Sequence, residues 1–124
     1  MLGGAPANFA YHVSQFGFDG RVISAFDNDK LGDEIIENLD NKGLKYIVEK
    51  TPYSTGNVLV TLDSKGIPRY EITQNVAWDN IPFTPEMEKM ARKTKTVCFG
   101  SLAQRSQTSR ITIHHFLNLL PSDV

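Results

Sequence analysis

Apolar residues recur along this chain with two periods, and the periods alternate. From Ala7 to Gln15 the spacing is helical: Phe9, Val13 and Phe16 fall near one face, and Gly17 is a natural stop. Arg21 to Phe26 is a short apolar, β-branched run, which predicts a buried strand. Asp27, Asn28 and Asp29 are candidate N-caps for a helix carrying Leu31, Ile35, Ile36 and Leu39, which ends at Gly43. Leu44 to Val48 predicts a further strand. Strand, helix and strand in succession are the pattern of an α/β sheet.

The middle of the chain changes period. Asn57–Leu62 and Ile67–Ile72 alternate every second residue across the turn-forming Asp63-Ser64-Lys65-Gly66. Arg69, Tyr70 and Glu71 make this a half-exposed hairpin and not a buried parallel pair. A third extended segment is expected from Val76 to Asn80. Helical spacing resumes at Thr84-Pro85-Glu86, a good N-cap and N1 pairing, and runs to about Lys93. Thr96 to Gly100 reads as a buried strand. Ser106 to Leu120 reads as a helix with Ile113, Phe116, Leu117 and Leu120 on one face, stopped by Pro121. The boundaries that follow are 1–52 and 83–124 for an α/β layer, with 53–82 as a projecting β unit.

Composition narrows the function classes. A chain of 124 residues, 40% of them hydrophobic, suffices for one packed core. With 13 basic and 14 acidic residues the formal charge is −1, which argues against nucleic acid as a partner. Scattered cations and the lack of a long apolar run argue against a membrane partner. The single cysteine, Cys98, leaves no internal disulfide framework and no Cys-based zinc site, so an intracellular, cytoplasmic setting is expected.

The most informative run is Gly3-Gly4-Ala5-Pro6-Ala7-Asn8-Phe9-Ala10. Two glycines admit close approach of a ligand to the backbone, and the helix that follows aims free N–H groups at the same place. Asn8 adds a donor and an acceptor suited to vicinal hydroxyls. A glycine turn that only caps a buried helix accounts for the same residues. The run is not a P-loop, because no Gly-Lys-Ser/Thr follows, and its glycine spacing is not that of a dinucleotide fingerprint.

This run, followed by Leu31-Gly32-Asp33, Thr55-Gly56, Ala77-Trp78-Asp79 and Phe99-Gly100-Ser101-Leu102-Ala103, resembles the PfkB or ribokinase family of carbohydrate kinases. The fructokinase branch is the nearest in pattern, and the ordered motifs span essentially the whole chain. The resemblance implies a ribokinase-like three-layer α/β/α sheet, here partial, with the hairpin as a lid. It implies transfer of the ATP γ-phosphate to a sugar hydroxyl, with fructose as the expected acceptor. A 2-keto-3-deoxygluconate or nucleoside kinase would share these motifs. So would a non-catalytic sugar-binding or dimerisation module.

By the same resemblance Gly3, Gly4 and Asn8 would bind sugar hydroxyls, and the stretch from Asn75 to Ala77 would add a contact from the last strand of the lid. Gln104 and Arg105, in the loop after Gly100-Ser101, would face the sugar, although Arg105 reads equally as a solvated helix-entry arginine. The lid is also the expected surface of a homodimer. ATP and Mg²⁺ are the cofactors the family implies. Its first strand, with a sugar-binding Asp, and its Asn-x-x-Glu and Gly-Ala-Gly-Asp segments have no counterpart among the 124 residues. The expectation is therefore a sugar-side portion, with no catalytic base and no metal ligand assigned, inactive on its own. Where the family commonly has a glycine before an acidic pair, this chain has Phe26-Asp27-Asn28-Asp29, so local strain at Asp27 is the most that is expected.

Other candidates carry less. His114 and His115 are adjacent on a helix and point about 100° apart, which suits a helix surface better than one metal. His12 is expected to be packed or half-exposed. Cys98 is expected to be a core thiol within its strand. Asp33, Glu34, Glu37 and Asp40 form the solvated side of a helix. Trp78 suits either a sugar face or an anchor between lid and body.

Overall fold

The computed structural model describes residues 3–124. Helix α1 (Ala5–Gln15) leads into strand β1 (Arg21–Phe26), helix α2 (Lys30–Asn41) and strand β2 (Lys45–Lys50). The hairpin strands β3 (Val58–Leu62) and β4 (Pro68–Ile72) follow. A 3₁₀ turn at Ala77–Asp79, helix α3 (Pro85–Ala91), a second 3₁₀ turn at Leu102–Arg105 and helix α4 (Gln107–Asn118) complete the chain.

Local chemistry accounts for most of these limits. The Asp29 carboxylate caps α2 by accepting from the Gly32 amide at 2.7 Å. Thr84 caps α3 in the same way, accepting from Met87 N at 3.3 Å, with Pro85 as the first helical residue. Gly43 takes the left-handed conformation (φ 61°) that closes α2, and Gly66 (φ 75°) closes the hairpin turn. Asp63 organises that turn, its carboxylate accepting from Lys65 N and Ile67 N.

Strands β1 and β2 pair in parallel, in register from Arg21 opposite Lys45 to Phe26 opposite Lys50. Their alternate residues feed two separate apolar clusters. Val22, Tyr46 and Val48 pack with Ala10 of α1 and with Ile35 and Leu39 of α2. Ile23, Ala25 and Ile47 pack with Ala77, Ile81, Met87 of α3 and Phe116 of α4. Leu39 and Met87 lie wholly inside, and burial of each such side chain stabilises by roughly 1.5–3 kcal/mol. Strands β3 and β4 form a second, antiparallel sheet, with Val60 opposite Tyr70. No helix among the described residues is long and apolar enough to cross a membrane.

Several expectations need correction. The segment Val76–Asn80 is no strand: a 3₁₀ turn forms because Ala77 and Val76 are drawn fully into the core while the Asp79 carboxylate folds back on the Val76 amide at 3.2 Å. Thr96–Gly100 is irregular, since no neighbouring strand among the described residues pairs with it, and Cys98 is therefore exposed and not a core thiol. On α1 the buried side is that of Ala7, Ala10 and Tyr11, whereas Phe9 and Phe16 face outward, Phe16 at 80% exposure. His12 is exposed. Asp27 shows no left-handed backbone; the non-glycine residue with positive φ among those described is Asn75 (φ 54°).

Candidate functional site

The turn at residues 16–20 sends the chain back along α1, so the N-terminus of α1 lies toward the carboxyl end of β1. That end of a parallel sheet is where open α/β folds place their ligands. Gly4 (φ 97°) is the N-cap of α1 and supplies no side-chain cap, so the first-turn amides of Ala5 and Ala7 stay free for an outside acceptor. Space is open around both Gly3 and Gly4, and the Asn8 side chain is exposed on the first turn.

The base of the hairpin converges on the same end of the sheet. The Thr55 hydroxyl accepts from the Asp27 amide at 2.9 Å, and the Thr55 amide donates to Asp29 at 3.0 Å. Burial alone would push Asp29 up, but the bonds from Thr55 and Gly32 hold it below its ordinary carboxylate value. Gly32 has no room for a Cβ, which would meet the Asp27 carbonyl and the Phe26 ring. At Gly56 a Cβ would strike the Trp78 indole. The glycines of Leu31-Gly32-Asp33 and Thr55-Gly56 are thus required by packing at the sheet end.

Ala77 is wholly buried and its amide donates to Ser54 O at 2.8 Å, so this residue offers no side chain to a ligand. Beside it, Asp79 is 2% exposed and receives Arg105 through two bonds, Nε to Oδ1 and Nη2 to Oδ2, both 2.8 Å. Burial favours the neutral acid, yet the guanidinium and the Val76 amide outweigh it and hold Asp79 below its ordinary value. Arg105 is raised correspondingly, first by its hydrogen bonds to Asp79. The guanidinium also lies 4.2 Å from the centre of the Trp78 ring. Gln104 is half-buried, with Oε1 3.4 Å from His114 Nε2.

Three hydroxyls, that of the N-cap Ser106 and those of Ser109 and Thr112 within α4, hold this wall. Ser106 donates to Asp79 O, Ser109 to Trp78 O at 2.8 Å, and Thr112 to Ile81 O at 2.7 Å. Ser109 also accepts from Ile81 N at 3.0 Å. The structure therefore joins Ala77, Gln104 and Arg105 in one wall through Asp79 and α4. Gly3, Gly4 and Asn8 stand separately at the head of α1, with no hydrogen bond to that wall among the described residues. Asp79, Ser109 and Thr112 were not singled out for this role by sequence; Asp79 had the signal of its place in the Ala77-Trp78-Asp79 motif, whereas Ser109 and Thr112, each 31 positions from the carbonyl it bonds, had none. An open groove elsewhere, beside α2, carries Asp33, Glu37, Asp40 and Lys50 on its rim. The described residues contain no group of three or more His, Cys, Asp or Glu side chains able to hold a metal ion.

No protein-family model matches the chain. A sugar kinase from Pyrococcus horikoshii is 34% identical over 113 residues, 90% of this chain and 36% of that protein. An ATP-dependent 6-phosphofructokinase from Thermoanaerobacterium thermosaccharolyticum is 32% identical over 114 residues, 90% of this chain and 34% of that protein. The crystal structure of the Pyrococcus kinase, described as uncharacterized, superposes with a TM-score of 0.80 at 30% identity, covering 94% of this chain and 38% of that one. The same kinase has been crystallised with ATP. An apo fructokinase from Vibrio cholerae shares the fold, with a TM-score of 0.71 at 21% identity over 94% of this chain and 40% of that one. The chain thus has a mixed α/β fold of the ribokinase-like kinase type and is similar to carbohydrate kinases. It spans about a third of the length of the curated relatives it matches.

Proposed function

We propose that this chain is the sugar-binding portion of a carbohydrate kinase of the PfkB family, fructokinase-like, whose full reaction moves the ATP γ-phosphate to a sugar hydroxyl, with fructose as the acceptor. The observation that carries this reading is the likeness to the Pyrococcus sugar kinase over nine tenths of the chain in both sequence and structure. The open Gly3-Gly4 turn at the carboxyl end of the parallel sheet, with uncapped amides and Asn8 beside it, supports it chemically. Those groups can donate to and accept from hydroxyls, which is what orienting a sugar requires. The hairpin would serve as the lid of a three-layer α/β/α body, divided at 53–82.

Ala77 would contribute shape and Arg105, with Gln104, would line the far wall. Because Arg105 is already bonded to Asp79, its part in sugar contact would fall to the two Nη1 donors. ATP and Mg²⁺ would be the cofactors of the full reaction, and none of the residues named above supplies its catalytic base. A cytoplasmic setting, where ATP is at hand, belongs to the same proposal.

Calorimetric titration of this chain tests the reading. Weak, saturable fructose binding that is lost in Asn8→Ala, with no ATP binding, is the expected result. Tight ATP binding, or fructose binding indifferent to Asn8→Ala, overturns it. A second reading, association through the hairpin, is favoured by Val58, Leu59, Val60, Leu62, Ile67 and Tyr70, each more than half exposed. Sedimentation equilibrium at rising concentration distinguishes a homodimer from a monomer, and Tyr70→Lys with Leu59→Lys should abolish any dimer.

A further inference from the structure

The entry to the β3–β4 hairpin is fixed at Thr55, and beyond that base the hairpin is held to the rest of the molecule at one point. Among the described residues, a single hydrogen bond leaves residues 57–73 for another part of the chain, from Arg105 Nη2 to the Thr73 carbonyl at 2.7 Å. Side chains on both hairpin faces are exposed, so packing does not define its direction. The two connections into it are short, and one contains Asn75 in the left-handed conformation (φ 54°), a single-residue bend. With the entry fixed at Thr55, the angle of such an element depends on what holds its exit.

The donor at that point is itself immobilised. The same guanidinium makes both bonds to the buried Asp79 carboxylate and lies over Trp78. Asp79 is fixed in turn by the Val76 amide, and its own carbonyl by Ser106. We propose that Arg105 is a positioning residue: its guanidinium latches the exit of the hairpin at Thr73 to the buried Asp79 and so sets the angle of the hairpin to the parallel sheet. A planar guanidinium presents its donors in a fixed fork and spans both acceptors at once. A lysine ammonium on a flexible stem keeps the charge opposite Asp79 but not the defined bridge. The latch holds independently of whether the chain binds a sugar.

The test measures direction and not stability. Spin labels at Ser64→Cys, on the hairpin turn, and Lys89→Cys, on α3, are placed in a Cys98→Ser background. The native residue at 105 should give one narrow distance distribution, and Arg105→Lys should widen it roughly twofold. Arg110→Lys, on the exposed side of α4, should leave it unchanged. An Arg105→Lys protein with a lowered Tm and an unchanged distribution marks the pair as merely stabilising and overturns the proposal. Should Arg105→Lys not fold, residual dipolar couplings of the unmutated chain decide: amides of β1–β2 and β3–β4 should fit one alignment tensor, and two tensors overturn the latch.

Discussion

Ser109 is the hydroxyl on which the wall of residues 77–81 depends most. It is wholly buried, donates to the Trp78 carbonyl at 2.8 Å and accepts from the Ile81 amide at 3.0 Å. Ser109→Ala removes the hydroxyl that pairs both backbone groups, at a fully buried position. A buried amide left unpaired costs about 1–3 kcal/mol, and a carbonyl somewhat less, so the variant should lose about 2–3 kcal/mol. Thr112→Val is the matched comparison. It keeps the shape and orphans only the Ile81 carbonyl, now bonded at 2.7 Å, for a loss of about 1 kcal/mol. Thr108→Ala, exposed one residue away, should stay within about 0.5 kcal/mol. Urea unfolding followed by the fluorescence of Trp78, the sole tryptophan, reads the region directly. The slopes should match across the series, so that midpoints report stability alone. At roughly 3–6 °C per kcal/mol for a chain of this size, Ser109→Ala should melt about 6–18 °C below the parent. Equal losses for Ser109→Ala and Thr112→Val, or a loss under about 0.5 kcal/mol for Ser109→Ala, would refute the account.

Two further outcomes follow from the same region. Gly56→Ala must displace the Trp78 ring, so the indole emission should shift and stability should fall by about 1–3 kcal/mol; an unchanged spectrum would contradict the packing. The folded-state pKa of Asp79 lies below the 3.8 of the free side chain, so its stabilising contribution is complete above that value and disappears as the pH falls through the lower folded value. Asp29 is shifted in the same direction, and Asp19 is lowered to about 2 by its hydrogen bonds to Arg21 and Lys45. Acid titration monitored by circular dichroism should therefore show loss of stability below about pH 4, with Asp79→Asn flattening part of that dependence; an equal slope in the variant would remove Asp79 from the account.

What a reader of the amino-acid sequence could see was set by short-range chemistry. Strand β1 occupies Arg21–Phe26 as its apolar run predicts, and Asp29 and Thr84 cap the helices they were expected to start. Such features depend on neighbours within a few positions: a carboxylate reaching the amide three residues on, or a glycine free to take a positive φ. The hairpin likewise follows from Asp63 to Gly66, which close it without help from the rest of the chain. The turn at Gly4 and the start of α1 were legible for the same reason, since a glycine turn and a helix start are local.

Tertiary structure decided the rest. Thr96–Gly100 has the residues of a strand and, among the described residues, no partner to pair with, so its apolar pattern could not settle its state. Val76–Asn80 is apolar enough for a strand, but the core took Val76 and Ala77 and the Asp79 carboxylate turned the backbone into a 3₁₀ turn. Sequence left Arg105 between a solvated side chain and a ligand contact. The fold gives it a buried carboxylate 26 positions away and a carbonyl 32 positions away, partners that no local spacing announces. Local capping, turn chemistry and hydrophobic period determined the helices, the parallel strands and the hairpin. Which charge meets which, and how the hairpin is held, depended on surfaces brought together only when those elements packed.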